Sequence, residues 1–245
     1  MIIKTISKIK IHIFFYIMIT ASIFTGHFKD FFLFVVIILF HELGHIIAGM
    51  YYKWEINKIM ILPFGALTIF DTPINKPFKE EFIVSIMGFV FQFILYFFLR
   101  QFNINNLYIL NYSIFLFNLL PINPLDGSKI LNSILNLIFP FKTSYLISIV
   151  ISIIFIVSLL MFKNLILYLT IVFLLIRIIK EIKNKKYMFL KFLLERKKIN
   201  LKSRKNKIIK GENLNKIFKY YKNLFYINKI YYTEKEVLNK KFDFY

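Results

Sequence analysis

The chain has 245 residues, of which 58% are hydrophobic and 31 are Phe; its mean hydropathy is +0.63 and its formal net charge is +20. Too few polar residues are present to cover so much apolar surface, so the composition excludes an ordinary soluble domain and predicts a membrane protein. Cysteine is absent, which excludes disulfides and thiolate-bound metal sites. Any metal must therefore be held by His and carboxylate side chains.

Six apolar stretches along the chain are of spanning or near-spanning length. They cover roughly residues 11–24, 31–50, 82–99, 107–120, 144–162 and 165–179. A secretory signal peptide is the alternative for the first stretch, but no convincing small-residue cleavage site follows Ala21, which favours a retained helix. We therefore predict an all-α polytopic membrane domain with about six transmembrane helices over residues 1–180, and a small basic C-terminal region over residues 181–245.

The distribution of Lys and Arg predicts the orientation of these spans. About 20 of the 33 basic residues follow Ile179, which places the C-terminal region in the cytosol. Six spans then return the N-terminus to the cytosol, where Lys4, Lys8 and Lys10 agree with that side. The sequence thus predicts a multi-pass protein of the cell membrane with both termini cytosolic, in which the second and fourth spans run toward the cytosol.

The second span contains the sequence HELGH at residues 41–45. His41 and His45 are four residues apart, so a helix presents both imidazoles on one face, where they can bind one cation. Glu42 lies beside that face and can take a proton from a metal-bound water, which is the signature of zinc hydrolases. An ionised Glu at membrane depth costs on the order of 3 kcal/mol, which argues against a purely structural role. The other two histidines, His12 and His27, are interpreted as packing residues.

A catalytic zinc needs a third protein ligand. Asp126 is the only acidic residue between Glu81 and Glu181, and it follows the fourth span on the same side of the membrane as HELGH. Pro121 and Pro124 break the helix there, which is tolerated at membrane depth only where protein or a water-filled cavity satisfies the backbone. An ordinary Pro-Asp-Gly helix exit is the alternative, but we favour a ligand. A shared ion requires the second and fourth spans to be packed neighbours.

These residues resemble the site-2 protease family of intramembrane zinc metalloproteases. The pattern is HELGH in a membrane helix, LDG about 80 residues later after a proline-broken helix, and the stretch ILPFGA at residues 61–66. The resemblance implies one zinc per chain, held by His41, His45 and Asp126, with Glu42 activating the water. It is closest to a branch that acts in sporulation, which implies the pro-segment of a sporulation sigma factor as the substrate.

The resemblance also concerns how the substrate is held. Residues 63–66, PFGA, are predicted to form a re-entrant or edge-strand element along the substrate's path, because a helical substrate must be unwound before it is cut. Substrate contacts are predicted at Phe64, Gly65, Asn118 and Asn123. The family often has Gly-Pro followed by Asn in its third helix, where this chain reads MGFVFQ with Gly88 and Gln92. No inserted segment is large enough for a PDZ domain.

The C-terminal region mixes basic and aromatic residues. Residues 189–196, FLKFLLER, and the following KIIKGENLNKIFKYY resemble the linker and opening of a nucleotide-binding CBS domain. The remaining length holds only about one CBS repeat, where a complete module pairs two. The alternative is a solvated basic face held against anionic lipid. No nucleic-acid fold signature is present, so no nucleic-acid partner is predicted.

The sequence therefore predicts a zinc-dependent intramembrane metalloendopeptidase that cuts a membrane-tethered protein near the cytosolic leaflet. Regulatory membrane proteins are a further class of partner. One alternative is a site-2 protease acting on an anti-sigma factor or a signal-peptide remnant. A membrane zinc transporter is another, but it should carry more paired intramembrane charges and internal repeats. A binding homologue without activity is the third, although all four reacting positions are present.

Overall fold

The computed structural model describes residues 9–11, 13–62, 65–162, 165–198 and 205–242. Its helices are α1 (Ile13–Phe24), α2 (Phe28–Tyr51), α3 (Phe78–Leu99), α4 (Leu107–Leu119), α5 (Asp126–Ile138), α6 (Phe141–Leu159), α7 (Leu165–Lys198) and α8 (Glu234–Phe242). Its strands are β1 (Ile9–Ile11), β2 (Glu55–Leu62), β3 (Gly65–Asp71), β4 (Asn206–Lys210), β5 (Lys222–Ile227) and β6 (Ile230–Thr233). Single 3-10 turns lie at Arg100–Phe102 and Leu214–Lys216.

The apolar helices follow the predicted spans. Within the described part of the chain, three are long and apolar enough to cross a membrane, namely Phe28–Tyr51, Phe78–Phe102 and Phe141–Leu159. Two shorter apolar helices, Phe15–Phe24 and Leu107–Leu119, coincide with the first and fourth predicted spans. The sixth predicted span forms the first half of α7. The chain is therefore a mostly helical membrane protein, and the number of six crossings stays a prediction.

The all-α prediction is wrong in one respect, because the described residues include two three-stranded sheets. In the first sheet, β2 and β3 form an antiparallel hairpin whose register runs from Glu55↔Asp71 to Leu62↔Gly65, and β1 lies parallel to β2. β2 carries three Ile, a β-branched residue that suits a pleated surface. Within the described residues β3 pairs only with β2, so it is an edge strand.

The first compact unit comprises Met1–Thr72 and Phe82–Leu120. One core in it is built by α2, α3 and α4, from the buried side chains of Leu33, Ile37, Ile38, Leu95, Leu107 and Ile114. Outside that core, the Asn106 amide donates to the carboxylate of Asp30, in the first turn of α2, at 3.1 Å. The second and fourth predicted spans, α2 and α4, are therefore packed neighbours, as predicted.

The second compact unit comprises Pro73–Glu81 and Pro121–Tyr245. Pro121 and Pro124 lie in the connection before α5, which begins at Asp126. In the C-terminal sheet β4 is parallel to β5, and β5 is antiparallel to β6. That sheet and α8 pack with the end of α7 around a core of buried apolar residues: Phe141, Phe192, Leu193, Ile209, Ile217, Phe225, Val237 and Leu238. The predicted domain boundary at residue 180 falls inside α7 and stays a prediction.

A buried ion pair links the end of α7 to the start of α8. The guanidinium of Arg196 donates to both carboxylate oxygens of Glu234 at 2.6 Å, and to the main-chain oxygens of Lys219 and Tyr221. In the same unit Tyr220 donates to Glu81. Burial, and then the negative charge of Glu81, raise the pKa of Tyr220 far above its usual range. Tyr220 therefore keeps its proton and remains a donor at physiological pH.

Candidate metal centre

The three chemical residues of HELGH lie together in the middle of an apolar helix. His41, Glu42 and His45 are all buried in α2, with exposed fractions of 2%, 6% and 3%. The spacing of four residues places the two imidazoles one turn apart, with their Nε2 atoms 3.1 Å from each other. One potential ligand atom from each of the three residues lies within 4.8 Å of the others, close enough to hold one metal ion.

Hydrogen bonds at the far side of each ring orient the two imidazoles. Nδ1 of His45 bonds the main-chain oxygen of Val84 at 2.7 Å, and because a carbonyl only accepts, the proton of that ring must be on Nδ1. Nδ1 of His41 bonds Oε1 of Gln92 at 3.0 Å. In the neutral rings both Nε2 atoms then carry the lone pair, and these two atoms face each other.

This arrangement of the histidines fits a metal ion. Two imidazole nitrogens 3.1 Å apart are held together when a proton or a metal ion lies between them, and two lone pairs alone would repel. Zinc–nitrogen bonds of about 2.0–2.1 Å at a tetrahedral angle would separate two such nitrogens by roughly 3.3 Å. The observed separation is close to that value, and the donor set of two imidazoles and a neighbouring carboxylate is one that zinc hydrolases use.

Glu42 is held by the edge strand β3. Its Oε2 accepts hydrogen bonds from the main-chain N–H of Thr68 at 3.0 Å and from the Thr68 hydroxyl at 2.6 Å. A buried carboxylate needs such donors, since an unpaired charge in an apolar interior is strongly unfavourable. These two hydrogen bonds join the middle of β3 to Glu42, the side chain that is predicted to act as the base.

Two glycines allow α2 and α3 to approach closely at the centre. A Cβ atom added to Gly44 would lie 2.2 Å from the main-chain oxygen of Met87, so the two backbones are in contact there. A Cβ added to Gly88 would lie 2.3 Å from Nε2 of His45 and 2.7 Å from Nε2 of His41. Gly88 therefore leaves open the space beside the Nε2 atoms of both histidines.

The other predicted site residues lie elsewhere in the chain. Asp126 is the first residue of α5 in the second unit, 5% exposed, and its Oδ1 accepts from Nζ of Lys129 at 2.7 Å. Asn118 is half-buried in the last turn of α4, and Asn123 is half-buried with its N–H donating to Ser152 Oγ at 3.3 Å. Gly65 begins β3. Phe64 lies outside the described residues.

The sequence contains two further histidines. His12 lies outside the described residues. The interpretation of His27 as a packing residue is wrong, because its side chain is 75% exposed just before α2. Thr68 and the Val84 carbonyl were missed from the sequence. Both contacts depend on tertiary structure, which a single sequence does not reveal. Every residue carries a main-chain carbonyl, so nothing in the sequence marks that of Val84. For Thr68, the only indication is a polar side chain within an apolar strand.

Comparisons with known proteins decide the family. Residues 30–104 match the model of peptidase family M50. Over 206 residues the chain is 32% identical to stage IV sporulation protein FB of Bacillus subtilis, a match that covers 78% of this chain and 72% of that protein. The chain belongs to peptidase family M50, the site-2 proteases.

Further M50 proteins agree in fold and sequence. The solved structure of a site-2 protease from Methanocaldococcus jannaschii matches with a TM-score of 0.56 at 30% identity, over 71% of this chain and 89% of that chain. A zinc metalloprotease of the same organism is 36% identical over 116 residues, which are 42% of this chain and 33% of that protein. The family that HELGH and NPLDG predict is confirmed, and this M50 chain is a membrane metallopeptidase.

Proposed function

We propose that the protein is a zinc-dependent endopeptidase that hydrolyses a peptide bond of a membrane-tethered protein near the cytosolic leaflet. The observation that carries this proposal is the pair of converging histidine nitrogens, with Glu42 beside them, in the middle of an apolar helix. By similarity to the sporulation protein, the substrate is the pro-segment of a sporulation sigma factor. Co-expression with tethered candidate substrates tests this, and cleavage should stop when a membrane-permeant chelator removes zinc.

Each residue of the centre has a separate role in hydrolysis. Bound zinc would act as a Lewis acid that polarises the scissile carbonyl and acidifies a water. His41 and His45 hold the ion through Nε2 and keep their Nδ1 protons. The Glu42 carboxylate takes a proton from the attacking water and returns it to the leaving amine nitrogen, so that one buried carboxylate acts first as base and then as acid. Burial of all three side chains keeps bulk water from the reacting atoms.

We further propose that the substrate is held as an added strand on the edge of β3 that faces away from β2. The N–H of Thr68 is directed away from β2, because it donates to Glu42. Strand alternation points the N–H groups of Ala66 and Phe70 the same way. A substrate strand paired there would be extended, with its carbonyls free of helical hydrogen bonds, and it would lie beside the carboxylate that activates the water.

Thr68→Val tests the contact between this strand and the base. The variant keeps the main-chain N–H but loses the hydroxyl that bonds Glu42 at 2.6 Å, so the carboxylate is less well positioned. We expect kcat to fall by up to about 100-fold, with little change in KM. The matched control is Thr20→Val, the same chemical change on an exposed part of α1, which should keep the wild-type rate. An unchanged kcat in Thr68→Val would contradict the positioning role.

Asp126 is proposed as the third zinc ligand. It is a buried carboxylate in the first turn of α5, in a chain with no other acidic residue between positions 81 and 181. We expect Asp126→Asn to weaken zinc binding by more than the roughly 10- to 100-fold that outer-shell changes cost, as measured by zinc per chain after dialysis against a chelator. The control Asp71→Asn changes an exposed acid at the end of β3 and should keep its zinc. Full occupancy in Asp126→Asn would mean that another group is the third ligand.

The proposal also covers the membrane topology of the chain and the role of its C-terminal region. Both termini are placed in the cytosol, on the strength of the positive charge that follows α6. The C-terminal sheet with α8 is proposed as a partial CBS-like module. Its lysines face anionic lipid, a role supported by the exposure of Lys207, Lys210, Lys222 and Lys229.

A further inference from the structure

Gln92 is a polar residue at the centre of an apolar helix. Its side chain is fully buried in α3, with 0% exposed. Its amide bridges two other helices, because Oε1 contacts Nδ1 of His41 in α2 at 3.0 Å and Nε2 contacts the main-chain oxygen of Asn111 in α4 at 2.8 Å. Burying an amide is unfavourable unless its hydrogen bonds are made, and both ends of this one are engaged.

The direction of the hydrogen bonds in this chain follows from its last member. The main-chain oxygen of Asn111 can only accept, so the amide nitrogen of Gln92 must face it. The amide oxygen of Gln92 then faces His41 and can only accept from it. His41 must therefore donate from Nδ1, which leaves its Nε2 with the lone pair that a metal ion needs.

The two histidines differ in the kind of group that orients them. The partner of His45 is a main-chain carbonyl, which exists whatever side chain occupies position 84. Nδ1 of His41 instead bonds the side chain of Gln92, so the orientation of His41 depends on the residue at position 92. Outer-shell partners of metal-binding histidines set both the tautomer and the direction of the ring.

We propose that Gln92 is a positioning residue that holds His41 in the tautomer and orientation required for metal binding, with the Asn111 carbonyl as its anchor. The inference rests on the proposed function only in taking the centre to be a zinc site. Gln92 does not touch the reacting atoms. It acts through His41, and it links the metal centre to α4.

The test measures metal affinity in purified protein without any peptide. Gln92→Met preserves length and approximate volume but removes the strong acceptor, and we expect zinc affinity, from competition with a chelator, to fall about 10- to 100-fold. Gln92→Glu presents an oxygen to His41 in either protonation state, so its affinity should stay within about threefold of wild type. Asn111→Leu keeps the main-chain acceptor and should also change affinity little.

A packing control separates positioning from general destabilisation. Leu95→Ala removes a buried side chain one turn along α3, within the apolar core of the first unit. It should lower stability while leaving zinc affinity and the visible spectrum of the cobalt-substituted protein unchanged, whereas Gln92→Met should alter that spectrum. Wild-type affinity in Gln92→Met, or equal losses in Gln92→Met and Leu95→Ala, would overturn the inference. Because no substrate is involved, these results decide the role of Gln92 whether or not the wild-type protein cleaves a given peptide.

Discussion

Glu42→Gln is expected to keep its zinc and its fold but to lose peptide cleavage by about 10²- to 10⁴-fold, the usual contribution of a general base. The neutral amide cannot take a proton from water, although its oxygen can still accept from the N–H and hydroxyl of Thr68. The zinc content of the purified variant and its cleavage of a co-expressed tethered substrate should be measured on the same preparation.

The comparison for this variant is Glu55→Gln, the same change at an exposed residue at the start of β2. It should cleave at the wild-type rate. Substantial turnover by Glu42→Gln would rule out Glu42 as the base. Loss of zinc together with loss of cleavage would instead show that Glu42 supports the metal, and the proton-transfer role would then fail.

Gly88→Ala should weaken metal binding without altering any ligand. The new methyl would lie 2.3 Å from Nε2 of His45 and 2.7 Å from Nε2 of His41, so it would crowd both nitrogens that are proposed to bind the metal. Crowding of this kind costs about 1–3 kcal/mol where the structure can adjust, which corresponds to roughly a 5- to 150-fold loss of zinc affinity. Chelator competition measures that loss directly, and proteolysis should fall with it.

A second glycine in the same unit provides the control. A Cβ at Gly49 would lie 2.5 Å from the ring of Phe70, so Gly49→Ala also crowds α2, but one turn beyond His45 and away from the imidazoles. This variant should lose stability and keep zinc affinity. If both glycine variants bind zinc as tightly as wild type, the metal does not need the space beside Gly88. If both lose it equally, the effect of Gly88→Ala is general crowding.

The sequence predicts the parts of this centre that depend on local periodicity. HELGH places His41 and His45 on one helix face because a turn takes about 3.6 residues, and no tertiary information is needed for that. Gly88 and Gln92 were noticed only through family resemblance, and what they contact was not predictable. Thr68 reaches Glu42 across 26 residues of chain, and the parallel pairing of β4 with β5 joins segments separated by a turn. Such contacts depend on how distant segments pack, which a single sequence does not reveal.

The contact between Thr68 and Glu42 and the strand predicted near residues 61–66 show the same limit of a single sequence. The stretch ILPFGA predicts an element near the centre, and the described residues 65–71 form an edge strand. Nothing in ILPFGA indicates that Thr68, two residues beyond it, is the residue that bonds the carboxylate. Likewise His27 is interpreted from the sequence as a packing histidine, but it lies in the short turn before α2, where its side chain is 75% exposed and its Nδ1 is 3.8 Å from the Asp30 carboxylate.

The contacts that orient the histidines come from the middle of α2 and α3 and not from a loop. Val84, Gly88 and Gln92 lie on successive turns of one helix, and they meet His41 and His45 on successive turns of the other. Helices of this length move as stiff rods, so groups mounted on them keep their mutual geometry better than groups mounted on loops. The two imidazoles are thus preorganised, and little conformational entropy is lost when they take up an ion. Release and rebinding of the metal should therefore proceed without refolding of the surrounding protein.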